Sequence, residues 1–282
     1  MSPSAHLFFE RILFNGGIMS SHDVKTTADP RDQFDLSGKR ALITGASSGL
    51  GRRFAWTLAR AGAEVLIAAR SNDKLASLKK EIEQFGGSAI CVSLDVRDRE
   101  GIRETINALE LEAPIDVLVN NAGVAIVKAP ERYMDEDWDA VYETNLRGPW
   151  VLAQSVIKHR INDGRACSII NIASVLGLRP LGHIPPYAAA KAGMINLGRD
   201  LCVDLASKGI RINAIAPGYF ETEMNREWLK TPAGEKLLQG IPAGRFGQPS
   251  DLDGAILFLA SDASSFMNGN LMTIDGGHSA GL

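Results

Sequence analysis

Tyr187 and Lys191 stand four residues apart, a spacing that sets both side chains on one face of a helix. A phenol beside an ammonium is a proton-transfer couple. A free tyrosine titrates near 10 and is a poor acid–base partner at neutral pH. A lysine cation about 4 Å away, at an effective dielectric near 20, favours the phenolate by up to ~4 kcal/mol, or about three pKa units. Water near an open cleft screens part of this, so Tyr187 is expected between about 7 and 9. Ser174, thirteen residues earlier, follows an apolar run and adds a hydroxyl. Each feature alone has a plainer reading. A Tyr-x-x-x-Lys arises by chance in about one such sequence in six, and a Ser after a strand is usually a cap or turn residue.

The elements that would position these groups are legible from Lys39 onward. Apolar runs Ala41–Thr44, Val65–Ala69, Ala89–Leu94, Val117–Asn120, Ser168–Ala173, Ile210–Ala216 and Leu271–Ile274 lack polar alternation. Such runs predict strands buried on both faces of a parallel sheet. Helix-length segments Gly51–Ala61, Asn72–Phe85, Asp98–Leu111, Trp150–Arg160 and Tyr187–Ser207 lie between them. The expected fold is therefore α/β, a single doubly wound parallel sheet of about seven strands, with ligands at the carboxyl ends of the strands. The irregular stretch 219–249 is too long for a plain connection and is expected to be a substrate loop. Residues 1–34 read as an extension to a domain covering 35–282. Within it, Glu10 and Arg11 interrupt the apolar segment His6–Met19, against a secretory signal. A loosely attached tail is expected, with Met19 as an alternative start.

The chain has 282 residues and a formal charge of −3, with no basic stripe to mark a nucleic-acid partner and no apolar run long enough to span a membrane. Cys91, Cys167 and Cys202 are odd in number and far apart, each in an apolar run. They are expected to be buried thiols in a reducing compartment, the cytoplasm, and no metal-binding cluster is apparent.

After the first strand stands Thr44-Gly45-Ala46-Ser47-Ser48-Gly49-Leu50-Gly51. Glycines here permit a tight turn and close approach of backbone to a pyrophosphate seated on the next helix. The spacing resembles the TGxxxGxG motif of the short-chain dehydrogenase/reductase family, whose fold is the Rossmann type. The resemblance continues strand by strand: Asp95-Val96 after the third, Asn120-Asn121-Ala122-Gly123 at the fourth, Ser174 at the fifth, then Tyr187 and Lys191, and Pro217-Gly218 with Thr222 at the sixth. An Asp cap and an Asn-Gly turn are the plainer alternatives for the second and third of these motifs.

The resemblance implies an NADP(H)-dependent oxidoreductase acting on a small carbonyl or secondary alcohol. Gly45, Ser47, Ser48, Gly49, Leu50, Gly51, Asp95, Val96, Asn121, Ala122, Gly123, Pro217, Gly218, Phe220 and Thr222 would hold the cofactor, with Tyr187 and Lys191. Arg70, standing where an NAD enzyme carries an acid, would grip the 2′-phosphate. Tyr187 would exchange the proton, Ser174 would hold the reacting oxygen, and Asn145 would hold a water in a proton relay. Leu176, Leu178, His183 and Pro185, and from the insertion Tyr219, Phe220, Met224 and Trp228, would wall the substrate; His183 would touch a hydroxyl or cap its loop. The stretches GYFETEM and ASSFMNG resemble the gluconate 5-dehydrogenase branch, which implies a sugar acid, while the general layout equally fits 3-oxoacyl-carrier-protein reductases. A non-catalytic nucleotide-binding sensor is the reading from another class. A homotetramer is implied as well, and Ala188, Ala189, Ala190, Ala192 and Gly193 would allow close helix packing between subunits.

Overall fold

The computed structural model describes residues 29–223 and 225–281, so the readings made for the N-terminal extension before Asp29, and for Met224, lie outside the described residues. Close contacts divide the chain into Met1–Asp32 and Gln33–Leu282. The second unit carries every element that follows.

In chain order these are β1 (Arg40–Thr44), α1 (Gly49–Arg60), β2 (Glu64–Ala69), α2 (Asn72–Gln84), β3 (Ser88–Ser93), α3 (Arg99–Glu112) and β4 (Val117–Asn120). Next come α4 (Asp135–Tyr142), a π-helical turn (Glu143–Arg147), α5 (Gly148–Asp163), β5 (Cys167–Ile172), α6 (Pro185–Leu205) and β6 (Ile210–Pro217). The insertion holds α7 (Arg226–Leu229) and α8 (Pro232–Gln239), and α9 (Asp253–Ala260) and β7 (Leu271–Ile274) close the chain.

The seven strands pair in the order β3-β2-β1-β4-β5-β6-β7, all parallel. Central strands are apolar because helices cover both faces. Ala41 and Ile43 of β1 face a core with Phe54 and Leu58 of α1, whereas Leu42 faces the opposite core with Ile102 and Val156. Chain order reverses between β1's neighbours β2 and β4, and a crevice opens at the carboxyl ends of strands at such a switch point.

The thiols differ from expectation. Cys167 is buried, but Cys91 is exposed and Cys202 half-buried. Strand β3 is a sheet edge, and three of its six residues, Ser88, Cys91 and Ser93, are exposed. The insertion also carries more regular structure than its composition suggests. Thr231 caps α8 by accepting from the Gly234 amide at 3.4 Å, and Pro232 occupies the first helical position.

Candidate active site

The loop after β1 turns through left-handed glycines, Gly45 at φ +67° and Gly49 at +54°. Gly51 is required by space. A Cβ there would lie 2.3 Å from the Asn121 Nδ2 and 2.4 Å from the Gly45 carbonyl oxygen. Ser48 at the N-cap of α1 makes no side-chain cap bond, so the first-turn N–H groups have no side-chain acceptor and suit an anion. At Gly49 a Cβ would meet the Thr222 side chain, its methyl at 3.7 Å and its Cβ at 3.9 Å. Leu50 packs on the core, and Ser47 is half-buried. The loop is latched to β4: Thr44 Oγ1 accepts from the amides of Asn121 (3.0 Å) and Ala122 (3.1 Å) and donates to Val119 O (3.2 Å). Asn121 Nδ2 donates to Thr44 O at 2.9 Å, so this side chain braces the glycine loop.

Arg70, the residue after β2, is exposed, and among the described residues no carboxylate lies within 4.0 Å of it. Burial works against the Asp95 carboxylate, but hydrogen bonds and charge from Arg97, with Arg70 further off, hold it below its ordinary value. Val96 is buried, and its carbonyl approaches Gly148 so closely that a Cβ there would sit 2.3 Å away. Pro217 is buried at the end of β6, and a Cβ on Gly218 would meet the Asp275 Cβ at 2.6 Å. Phe220 is buried; the Thr222 amide and hydroxyl donate to Asn225 Oδ1 at 2.8 and 3.1 Å. A cavity of about 440 Å³ lies beside this loop, lined among others by Gly49, Arg52, Thr222 and Arg226; it does not reach Tyr187 or Ser174.

The four groups assigned to proton transfer come from three segments. Ser174, just beyond β5, caps the turn Val175–Gly177 by accepting from the Leu176 amide at 3.1 Å. That turn presses onto α6 at Gly177, where a Cβ would be 2.9 Å from both the Lys191 carbonyl carbon and the Ala192 nitrogen. The first turns of α6 carry Tyr187 and Lys191, with the Lys191 Nζ 5.7 Å from the Tyr187 ring centroid. Lys191 is 3% exposed and donates to Ile172 O at 2.7 Å. Gly123 leaves room for this group: a Cβ would lie 3.2 Å from Asn145 Oδ1 and 3.7 Å from Lys191 Nζ. Asn145, fully buried in the π-turn, is engaged at both ends by Val124, accepting from its amide at 2.8 Å and donating to its carbonyl at 2.7 Å.

The electrostatics correct the expected tyrosine. Burial pushes the Tyr187 phenol above its ordinary value of 10, and the neighbouring Ser174 hydroxyl only partly opposes this. Burial also pulls the Lys191 ammonium down to about 8. The sequence argument placed the ammonium about 4 Å from the phenol in partly aqueous surroundings. In the fold it is buried and spends a donor on the Ile172 carbonyl, so desolvation of both charges dominates.

The expected substrate wall is irregular. Leu176 is half-buried, Leu178 is 45% exposed, and Pro185 and His183 are exposed. His183 has φ +56°, the only positive φ of a non-glycine among the described residues. Its carbonyl accepts from Lys128 N (3.0 Å) and Tyr133 Oη (3.1 Å), tying the loop to the segment after β4. Trp228 is 49% exposed on α7. Tyr219 packs edge-on against His278, centroids 5.6 Å apart, and lines a cavity of about 140 Å³ with Ala243 and Gly276. Arg179 and His278 went unremarked in the sequence, where each is a lone polar residue without a motif. Among the described residues there is no cluster of metal-ligating side chains, and no helix is long and apolar enough to cross a membrane.

Comparison with known proteins agrees with this geometry. A family model for short chain dehydrogenases matches residues 39–233. Gluconate 5-dehydrogenase of Gluconobacter oxydans is 40% identical over 89% of this chain and 98% of its own length. A 3-oxoacyl-[acyl-carrier-protein] reductase of Thermotoga maritima is 42% identical over 86% and 98%. The crystal structure of a gluconate 5-dehydrogenase from Burkholderia cenocepacia in complex with NADP and tartrate superposes with a TM-score of 0.85 at 40% identity, covering 89% of this chain and 99% of that one. A match this long, in sequence and in fold, settles the grouping: the chain belongs to the short-chain dehydrogenase family.

Proposed function

We propose that the chain is an NADP(H)-dependent oxidoreductase that interconverts the carbonyl and secondary alcohol of a small polyhydroxy acid of the gluconate type. The observation that carries the reading is the convergence of Ser174, Tyr187 and Lys191 across the Val175–Gly177 turn and α6, beside a helix N-terminus without a side-chain cap. The residues fit the cofactor. The uncapped α1 turn suits its pyrophosphate, and the exposed Arg70, with no carboxylate within 4.0 Å among the described residues, suits the 2′-phosphate of NADP. When bound, the nicotinamide supplies the hydride.

The protein's own task is the proton. Tyr187, kept protonated by its burial, donates to the oxygen on which charge develops during carbonyl reduction, while the Ser174 hydroxyl holds that oxygen. Lys191 holds the nicotinamide ribose and, as a cation, steadies the tyrosinate left behind. Asn145 secures Val124 and the backbone around Gly123, and the proton relay runs past it. Leu176 and His183 touch the substrate. The chain works as a cytoplasmic homotetramer of one catalytic domain, residues 35–282, preceded by an extension over 1–34. Ala189 and Ala192 lie exposed on α6, where a second copy can approach closely.

The Thermotoga maritima relative supports a second reading, reduction of a 3-oxoacyl thioester. A panel of keto sugar acids, 3-oxoacyl thioesters and neutral ketones, each with NADPH and NADH and followed by absorbance, separates the two. Highest kcat/KM with a keto sugar acid and NADPH is expected. Preference for the thioester selects the second reading, and no consumption of NADPH with any carbonyl refutes both.

A further inference from the structure

Arg179 follows the turn that Ser174 begins, and its own amide donates to Val175 O at 2.9 Å. The guanidinium is steadied at one end, where Nη1 donates to the His278 carbonyl at 2.6 Å. Among the described residues no carboxylate lies within 4.0 Å of this half-buried cation. Tyr219 stands beside it, one residue past Pro217-Gly218, with a buried hydroxyl that has no hydrogen-bond partner among the described residues. A buried polar atom without a partner calls for an explanation. Arg179 and Tyr219 both contact His278, the first through its carbonyl at 2.6 Å and the second edge-on to its ring at 5.6 Å between centroids, and burial pushes the Tyr219 phenol up, so it stays a donor. Two fixed donors of this kind, one cationic and one neutral, match a carboxylate.

We propose that Arg179 and Tyr219 form an anion subsite that binds the carboxylate of the substrate in the cleft where Tyr187 and Ser174 meet its carbonyl. The inference rests on the sugar-acid reading above and names the residues that confer it. Arg179 acts on specificity, not on the proton. His278 serves as the backbone post that aims the guanidinium.

The test is steady-state kinetics of full-length wild type, Arg179→Met, Arg179→Lys and Tyr219→Phe with 5-keto-D-gluconate and with a neutral ketone, alongside NADPH binding by fluorescence. A charge-assisted contact predicts that Arg179→Met raises KM for the keto acid at least about tenfold, with kcat within about threefold. Arg179→Lys should recover part of the loss and Tyr219→Phe should show a smaller rise. In the Arg179 variants, kinetics with the neutral ketone and NADPH binding should stay at wild-type values. Unchanged KM for the keto acid in Arg179→Met overturns the subsite while leaving the sugar-acid reading intact. Joint loss of NADPH binding and of activity on both substrates overturns it too, because that is the pattern of a clamp on the chain end. A wild-type enzyme that reduces no keto acid overturns the sugar-acid reading, and the subsite falls with it.

Discussion

The flank of the cleft built on β1, β2 and β4 is held by backbone conformation and one pair of side chains. Left-handed glycines and the Thr44–Asn121 latch leave little freedom in it, and the start of α1 keeps its first-turn N–H groups without a side-chain acceptor. The opposite flank, made by the loop after β5, the insertion after β6 and the chain end, is held by scattered side chains: Tyr133 on the His183 carbonyl, Arg179 on that of His278, Asn225 under Thr222. Backbone rules produce the same cradle from many sequences, whereas a wall of side chains can be rewritten residue by residue. A cofactor site common to many relatives and a substrate site particular to each is what these two constructions allow.

Substitutions on the two flanks should therefore fail differently. The largest effect is expected for Gly51→Val, whose Cβ has no room against Asn121 and the Gly45 carbonyl. Overpacking of backbone should cost about 1–3 kcal/mol or more and abolish NADPH binding, read by thermal unfolding and fluorescence titration. Wild-type binding in this variant would break the claim that backbone holds the cradle.

Lys191→Met comes next. The Lys191 ammonium titrates at about 8, so the charged form exists below that pH and is lost above it. Wild-type carbonyl reduction and NADPH affinity should then both decline as pH rises through about 8. In Lys191→Met both should be low at every pH, with that alkaline limb missing; its persistence would assign the limb to another group.

Arg70→Ala should lower NADPH affinity by roughly ten- to a hundredfold, the worth of a charge-assisted contact of about 1.5–3 kcal/mol, and leave NADH unaffected. The smallest effect belongs to His183→Gly, which relieves a left-handed backbone but loosens the unfolded chain. Stability should move by no more than about 1 kcal/mol, with KM for substrate changed and NADPH binding not.

Legibility followed the same division. The central strands and the strand-end motifs could be read because Val, Ile and Leu runs and glycine spacings are local signals. Edge exposure was not legible: Cys91 sits in an apolar run, and only the strand order shows that β3 has one neighbour. The π-turn that buries Asn145 leaves no periodic mark, so the clamp on Val124 was invisible. The Tyr187 shift was misjudged because it depends on how dry the site is, which is a tertiary property. Arg179 and His278 meet across 99 positions of sequence, a pairing that no spacing rule detects.

The separation of the two tasks, cofactor held by backbone and proton delivered by one side chain, is tested most directly on a single variant. Tyr187→Phe removes the phenolic hydroxyl and nothing else. NADPH titration and turnover with the best carbonyl of the panel should be measured on the same preparation. The account predicts wild-type NADPH affinity with turnover reduced at least ~100-fold, the lower end for general acid–base catalysis. Near-normal turnover would contradict it and move the proton donor elsewhere in the cleft, with His183 the first group to examine.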